Sequence, residues 1–417
     1  MNPFQIETKA VDSYFMDMKK MYPKAYNKNQ TSPYTKTRII LLNGAEFEST
    51  WFMHQFARNC DNDEIKRELA IVRAQEQMQQ KRLSCLKPKN ESILETTISY
   101  EQLAIDLTAT LAKNEKDANN KKALDFALLE DFDHLYRFAN LLAIDKKQDA
   151  APLVGKFTEI TPGRPTIAHH RYPKDNIKTA MNAKKADLYT KLVASTITAA
   201  EQQTMNYYMN IAQWYKTDLG RKLYAEIAMV EEEHVSQYES LKDPTCTWLE
   251  QWVLHEYCEC YLYYSAMQEE KDAYIKAIFE DHFYMEVAHL HKAAELLKKH
   301  EGTDYTKVIG TKGDFPTLLK LGSNKEYVRD VLERTITLTG NRQDYIDIYN
   351  LPTDSDFFNY QKDIIPSEAD VPSHVVIEKT IEKYGKDYRY EDKKNPVKEL
   401  QSRTKDNTTI GRTNKSK

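Results

Sequence analysis

The sequence contains an internal repeat in which acidic residues and histidines recur at an offset of 155 positions. In the later copy, a Glu is followed thirty positions later by the motif Glu-x-x-His, and this pattern occurs twice. The first occurrence is Glu201, Glu231 and His234, and the second is Glu256, Glu286 and His289. The earlier copy has at the equivalent positions Glu46, Glu76, Gln79, Glu101, Asp131 and His134. Residues 40–145 and 195–300 are therefore interpreted as two copies of one ancestral unit, an internal tandem duplication. Solenoid units are shorter, at about 20–50 residues.

The composition of the chain favours helices. Glycine is scarce, at 11 residues of 417, and long segments lack proline. Both features favour helices, because glycine and proline destabilise helix interiors. No glycine-rich phosphate-binding fingerprint is present. Apolar periodicity predicts four helical hairpins, each with a short turn, and a further helix near the C-terminus. The hairpins are predicted at about 44–85, 92–145, 185–241 and 245–300, and the further helix at about 323–337.

The expected fold class is all-α, as two tandem four-helix bundles with an irregular C-terminal extension. The segment Thr161-Pro162-Gly163-Arg164-Pro165 breaks any helix and marks a linker between the bundles. The last thirty residues are rich in Lys, Asn, Thr and Arg, which is typical of disorder. The predicted organisation is an N-terminal arm (1–38), a first four-helix unit (39–145), a linker (146–184), a second four-helix unit (185–301), an irregular and helical extension (302–387) and a disordered basic tail (388–417).

Bulk properties exclude several classes of partner. The net charge is −4, which argues against a nucleic-acid partner. The chain has five cysteines and no Cys-x-x-Cys motif, which favours a reducing compartment. No run of about 18 apolar residues and no apolar leader is present, so no membrane association is expected. We therefore expect a cytoplasmic protein, and the sequence leaves its oligomeric state open.

The repeated acids and histidines lie on apolar helix faces, and the faces of Glu46 and Glu76 are less apolar than the others. In Glu-x-x-His the two side chains share one face, and Glu231 has Ile227, Val235 and Tyr238 on its own face. Buried carboxylates need a counter-charge, and two divalent cations supply it. Carboxylate with imidazole suits Fe, Mn or Zn. The predicted metal ligands are Glu201, Glu231, His234, Glu256, Glu286, His289, Glu101, Asp131, His134, Glu46 and Glu76. The first copy is expected to be a degenerate site, because Gln79 replaces a histidine and Asp131 a glutamate.

These residues resemble the ligand pattern of the ferritin-like di-iron carboxylate superfamily of four-helix bundles, which includes rubrerythrins, bacterioferritins and di-iron oxygenases. The resemblance covers about 100 residues in each copy. It implies two bound metal ions, expected to be Fe with Mn or Zn as alternatives. It also implies Glu201 and His234 as terminal ligands of one ion, Glu256 and His289 as terminal ligands of the other, and Glu231 and Glu286 as bridging carboxylates.

Two pairings of the hairpins are compatible with the sequence. The preferred pairing is tandem, each copy forming its own bundle, because a duplicated unit is expected to fold alone. However, ferritin-like bundles join their hairpins by a long crossover, and only a tight turn at Leu241 to Pro244 joins the third and fourth hairpins. The alternative uses the linker as a crossover and pairs the second hairpin with the third. One site would then contain Glu101, Asp131, His134, Glu201, Glu231 and His234. The other would contain Glu46, Glu76, Gln79, Glu256, Glu286 and His289.

The function expected from the resemblance is an oxidoreductase that uses O2 or H2O2. No module with four cysteine ligands is present to supply electrons, so an external electron donor is expected. The alternatives are a non-catalytic iron-binding or storage protein, and a helical scaffold with remnant metal sites. His169 and His170 in the linker are interpreted as a solvated pair outside the ligand set.

Overall fold

The computed structural model describes residues 1–164 and 168–385. Long helices make up most of this part of the chain, in agreement with the predicted all-α class. They are α1 (Pro33–Arg58), α2 (Asp63–Ser84), α3 (Ile93–Asn114), α4 (Ala118–Lys146), α6 (Leu188–Trp214), α7 (Asp218–Ser240), α8 (Trp248–Glu269) and α9 (Ala273–Glu301), with the short α5 (Ala151–Val154) between α4 and α6. None of the described helices combines the length and apolar character that a membrane-spanning segment needs.

Equivalent helices in the two copies of the repeat begin with the same kind of N-terminal cap. Ser92 and Thr247 each form a capping box with the glutamate three residues later, at the start of α3 and of α8. Asp117 and Asp272 accept hydrogen bonds from the first backbone N–H groups of α4 and α9. Each such cap contributes about 0.5–2 kcal/mol to helix stability. The two copies therefore share helix boundaries as well as candidate ligands.

The helical hairpins pair across the two copies of the repeat. α3 and α4 contact α6 and α7, and we call this group bundle I. α1 and α2 contact α8 and α9, and we call this group bundle II. α1 also packs on α3 and α6, so the two bundles adjoin through shared apolar contacts. The preferred prediction of two tandem bundles, one per copy, is therefore wrong, and the alternative pairing is the one observed.

Connection lengths explain this pairing. Short turns join α2 to α3 and α7 to α8, whereas residues 147–187 separate α4 from α6. The long segment allows α4 and α7 to run in opposite directions. Along α4 Asp131 precedes His134, and along α7 Glu231 precedes His234. Because His134 contacts Glu231 and Asp131 contacts His234, the two helices are antiparallel. When a short turn joins two consecutive hairpins, as it joins α7 to α8, the second helices of the two hairpins run in the same direction. Such hairpins therefore cannot bring these two helices together in antiparallel fashion.

The terminal segments differ in part from expectation. α1 begins at Pro33 rather than near residue 44, because a proline at the first helical position is compatible with helix geometry. The extension contains α10 (Thr306–Ile309), α11 (Lys325–Thr335), α12 (Asp356–Ile364) and α13 (Pro372–Tyr384). α11 matches the predicted helix. An antiparallel hairpin of β1 (Leu338–Asn341) and β2 (Asp344–Asp347) was not predicted. The predicted disordered tail at 388–417 lies outside the described residues.

Two candidate metal centres

Six of the predicted ligands meet inside bundle I, in a cluster that we call centre I. α3 and α6 each supply one carboxylate, and α4 and α7 each supply a carboxylate and an imidazole three residues apart. All six side chains are at most 1% exposed, so the cluster is closed to bulk water. Its members are Glu101, Asp131, His134, Glu201, Glu231 and His234.

Glu231 lies between the two imidazoles of centre I. Its Oε1 atom is 3.0 Å from Nδ1 of His134, and its Oε2 atom is 3.1 Å from Nδ1 of His234. Nδ1 of His234 is also 3.3 Å from Asp131 Oδ1 and 3.7 Å from Glu201 Oε2. A ring nitrogen carries at most one proton, so it cannot satisfy three carboxylates at once. The arrangement has more acceptors than donors.

Several polar atoms of centre I are buried without a hydrogen-bond partner among the described residues. They include both carboxylate oxygens of Asp131 and of Glu201, Oε2 of Glu101, and Nε2 of His134. Burial, followed by repulsion between carboxylates, raises the pKa of Glu101 and of Asp131 well above the usual range, and burial raises the pKa of Glu201 to about 7. Each unpaired buried group costs about 1–3 kcal/mol, and more when charged. A bound cation relieves this cost, because it accepts the lone pairs and neutralises the charge.

A hydrogen bond at Nε2 of His234, on the side of the ring away from the cluster, determines which ring nitrogen can bind a cation. Nε2 of His234 is 2.8 Å from Oε2 of Glu130. Burial acts to raise the pKa of Glu130, but Arg171 and Arg164 lower it to about 2, so this carboxylate only accepts a hydrogen bond. Nε2 therefore carries the proton, and Nδ1 is the nitrogen that a cation can use. Histidines that bind metals are commonly held by such an outer acceptor.

The remaining predicted ligands meet inside bundle II, in a cluster that we call centre II. α1 and α2 supply Glu46 and Glu76, α8 supplies Glu256, and α9 supplies Glu286 and His289. Nδ1 of His289 is 3.0 Å from Glu76 Oε1, 3.2 Å from Glu286 Oε2 and 3.7 Å from Glu256 Oε2. All five side chains are fully buried. Glu46 and Glu76 are thus as deeply buried as the others, although the sequence places them on less apolar faces.

Centre II contains one more carboxylate than the sequence analysis predicts. Glu259 lies one helical turn after Glu256 and joins Glu46 and Glu76 in a group whose ligand atoms are within 4.8 Å of one another. Both oxygens of Glu259 lack a hydrogen-bond partner, and burial raises the pKa of Glu259 to about 7. The equivalent position in the other copy is Ala104. The three-residue spacing of Glu256 and Glu259 on one buried face was the available signal.

Gln79 occupies the position of the missing histidine in centre II. Its Nε2 atom donates to Glu46 Oε1 at 3.1 Å and also to Glu286 Oε1. The amide therefore donates where an imidazole would offer a lone pair. Centre II thus has five carboxylates and one imidazole, whereas centre I has four carboxylates and two imidazoles. The two centres share an ancestry in sequence but differ in donor chemistry.

His289 is oriented by an outer acceptor, as His234 is. Its Nε2 atom is 2.7 Å from Oε1 of Gln75. The amide nitrogen of Gln75 donates to the backbone oxygen of Val11 at 2.8 Å, which places the amide oxygen toward the ring. Nε2 of His289 must then be the protonated nitrogen, and Nδ1 faces the carboxylates. The N-terminal segment thereby contributes to the geometry of centre II.

The expectation that His169 and His170 form a solvated pair is wrong. Both residues are buried, at 1% and 7% exposure, because the linker lies against α4 and α7. Nε2 of His169 is 2.6 Å from Oδ2 of Asp133, and Nδ1 of His170 is 3.5 Å from Oε1 of Glu233. These contacts belong to a charged network beside centre I, and neither histidine joins a ligand group among the described residues. Their burial depends on where the linker packs, which the local sequence does not specify.

The ligand roles implied by the resemblance need correction. Glu231 belongs to centre I and Glu286 to centre II, so the two cannot bridge one pair of ions. The terminal ligands assigned to one pair are likewise divided, with Glu201 in centre I and Glu256 in centre II. The reason is the pairing of hairpins across the repeat. Comparison of the chain with protein-family models, with curated proteins and with solved structures gave no match.

Proposed function

We propose that the protein is a di-metal carboxylate protein of the ferritin-like type, which oxidises a substrate with O2 or H2O2 and receives electrons from an external donor. The observation that carries the proposal is centre I. Six buried side chains of the types that bind iron or manganese converge there, and many of their donor atoms have no hydrogen-bond partner. A purely structural cluster would be expected to satisfy its buried polar atoms.

The donor groups of centre I suit a pair of ions. One group comprises Asp131, Glu201, Glu231 and His234, and the other comprises Glu101, His134 and Glu231. Glu231 belongs to both, so we assign it as the carboxylate that the two ions would share. Mixed carboxylate and imidazole donors suit iron, with manganese or zinc as alternatives. When bound, a pair of iron or manganese ions supplies the redox chemistry that O2 or H2O2 requires.

The residues of the chain have distinct tasks in this proposal. Glu130 holds the proton on Nε2 of His234, so that Nδ1 is available as a ligand. Tyr208 donates a hydrogen bond from its hydroxyl to Oε1 of Glu101 at 2.6 Å, which orients that carboxylate. The surrounding apolar side chains of bundle I, including Phe138 and Ile227, exclude water from the cluster.

Metal analysis of three variants tests the proposal. The protein is expressed with iron, and iron and manganese are quantified per chain in the wild type, in Glu231→Ala and in Glu76→Ala. We expect Glu231→Ala to lose the metal of centre I alone and Glu76→Ala to lose that of centre II alone. Glu232→Ala is the matched control, because Glu232 neighbours Glu231 on α7 but belongs to neither ligand group.

Reaction of the reduced protein with oxidants separates the candidate functions. We expect O2 or H2O2 to oxidise the bound ferrous iron of the wild type rapidly. We expect this rapid oxidation to be absent in Glu231→Ala. Bound iron without this reaction would instead support a non-catalytic metal-binding protein. Absence of bound metal, with thermal stability unchanged by added iron or manganese, would support a helical scaffold with remnant sites and would overturn the proposal.

A further inference from the structure

A cavity outside both centres lies where α1, α6 and α8 come together. Its volume is about 680 Å³, which is within the range of about 300–1,000 Å³ typical of small-molecule sites. Part of its wall is apolar and is formed by Phe52, Ala194 and Leu254. The cavity can therefore hold the aliphatic or aromatic part of a small organic molecule.

The polar wall of this cavity has unmatched positive charge. Lys191 is only 9% exposed, and its ammonium group donates to the backbone oxygen of Val308 at 2.8 Å. Among the described residues, no carboxylate oxygen lies within 4.0 Å of the ammonium group of Lys191, although Asp243 and Glu250 are near enough to influence its charge. Lys184 and Lys307 at the cavity rim likewise form no ion pair within that distance. An ammonium group has three donor hydrogens. Lys191 therefore has donor capacity that a ligand can use.

The acidic residues of the same wall are already engaged. Glu48 lies 3.1 Å from Nδ1 of His255 and 3.8 Å from Nζ of Lys242. Asp243 accepts a hydrogen bond from the backbone of Ala183 at 2.7 Å. Glu250 accepts one from the backbone of Thr247 at 2.9 Å. These backbone bonds leave the negative charges of Asp243 and Glu250 in place, but the lining contains four lysines and three carboxylates. The wall is therefore positive on balance, which favours an anion.

His255 connects the cavity to centre II. Its ring forms part of the cavity wall and stacks on Phe52, with ring centroids 5.2 Å apart. Nε2 of His255 is 3.4 Å from Oε2 of Glu259, which belongs to centre II. A single imidazole ring thus touches the cavity on one side and a candidate metal ligand on the other. The cavity is the neighbour of centre II rather than an isolated surface feature.

We propose that this cavity binds a small organic acid whose carboxylate contacts Lys191 and whose apolar part lies along Phe52 and Leu254. The binding itself stands on the cavity and its charge alone. The positive wall of the cavity suits neither a cation nor a neutral alkane.

Calorimetric titration of the full-length protein with sodium octanoate tests the proposal. Octylammonium has the same chain length and the opposite charge. We expect octanoate to bind at least about tenfold more tightly than octylammonium, since the charge-assisted hydrogen bond is worth more than a factor of ten. The titration is made on metal-loaded and on chelator-treated protein. Binding without bound metal would support the cavity and not the proposed function. Bound metal that reacts with O2, with no octanoate binding, would overturn the cavity proposal alone.

Three variants locate the binding. Lys191→Met is expected to weaken octanoate binding at least about tenfold, Lys191→Arg to retain it, and Ser195→Trp to block it by filling the cavity. Lys185→Met is the control, because Lys185 is exposed and does not line the cavity. The unfolding temperature of each variant shows whether it is folded. Equal octanoate affinity in the wild type, Lys191→Met and Ser195→Trp would overturn the proposal.

Discussion

Nε2 of His234 on α7 lies 2.8 Å from Oε2 of Glu130 on α4, the residue immediately before Asp131. His289 has the same relationship with α2, where its acceptor Gln75 immediately precedes Glu76. In both centres, therefore, the facing helix supplies a candidate ligand and, one residue earlier, the group that orients the opposite imidazole. This relationship follows from the antiparallel packing of the two helices.

The other two equivalent positions lack such an acceptor. The residue before Glu231 is Val230, and the residue before Glu286 is Met285. Nε2 of His134 has accordingly no hydrogen-bond partner among the described residues, although it is buried. Each centre thus has one histidine whose Nε2 atom has a hydrogen-bond acceptor. At the second histidine position, centre I has His134 without such an acceptor, and centre II has Gln79 in place of a histidine.

Gln75→Leu is expected to weaken metal binding at centre II and not at centre I. The change removes the acceptor of His289 Nε2 and leaves the ring free to turn, which commonly costs about 10–100-fold in metal affinity. Competition with a chromophoric chelator measures the affinity, and centre I in the same molecule is the internal control. An equal loss at both centres would show a general effect on folding and contradict the role assigned to Gln75.

Gln79→His is expected to strengthen binding of zinc or ferrous iron at centre II. The new imidazole replaces an amide that donates to Glu46 and Glu286 with a ring that offers a lone pair, and nitrogen donors suit these ions. The measurement is a titration with each metal in the Glu231→Ala background, where centre I is disabled. An unchanged affinity would mean that position 79 does not face the metal.

Glu259→Gln is expected to have opposite effects on metal binding and on the stability of the metal-free protein. Metal affinity at centre II falls, because a charged ligand is lost. The free energy of unfolding of the chelated protein rises at pH 8, because burial raises the pKa of Glu259 to about 7 and its charge is unfavourable above that pH. Metal titration and urea unfolding measure the two effects. Glu269→Gln on the same helix is the control, and we expect it to change neither quantity.

Removal of metal is expected to destabilise the wild-type protein. A ligand that binds only the folded state at 100 times its Kd adds about 2.7 kcal/mol to the unfolding free energy. Chelation should therefore lower the unfolding temperature of the wild type, and added metal should restore it. The double variant Glu76→Ala and Glu231→Ala should not respond to either treatment. A response of the double variant equal to that of the wild type would place the metal elsewhere.

Asp106 provides a test of pH dependence away from both centres. It accepts hydrogen bonds from Tyr34 at 3.1 Å and from Thr158 at 2.9 Å, yet burial raises the pKa of Asp106 from 3.8 to about 7. The folded state therefore binds more protons than the unfolded state between these values, and the unfolding free energy falls as pH rises from about 4 to 7.

Asp106→Asn is expected to remove this contribution, which amounts to a few kcal/mol. Urea unfolding of the chelated protein at several pH values between 4 and 8 measures it, with the exposed Asp61→Asn as control. The variant should lose less stability than the wild type between pH 4 and 7. Parallel pH curves for the wild type and Asp106→Asn would contradict the prediction.

The sequence alone determined the local features of this protein. Helical periodicity predicted the long helices, and the position of Pro33 and the caps at Ser92 and Thr247 explains where three of them begin. The offset of 155 positions identified eleven ligand-type residues, and all of them lie in one of the two clusters. These features depend on neighbours within a single helix or turn, which the order of residues specifies directly.

Tertiary structure alone decided which hairpins face each other and therefore which ligands share a centre. Residues 147–187 are long enough to carry the chain across bundle I, whereas the turn before α8 is not. Glu130 and Glu259 contact residues on helices distant in sequence, and His169 contacts Asp133 because the linker packs on α4. Periodicity identifies the buried face of a helix, but it does not identify the helix on the other side of that face.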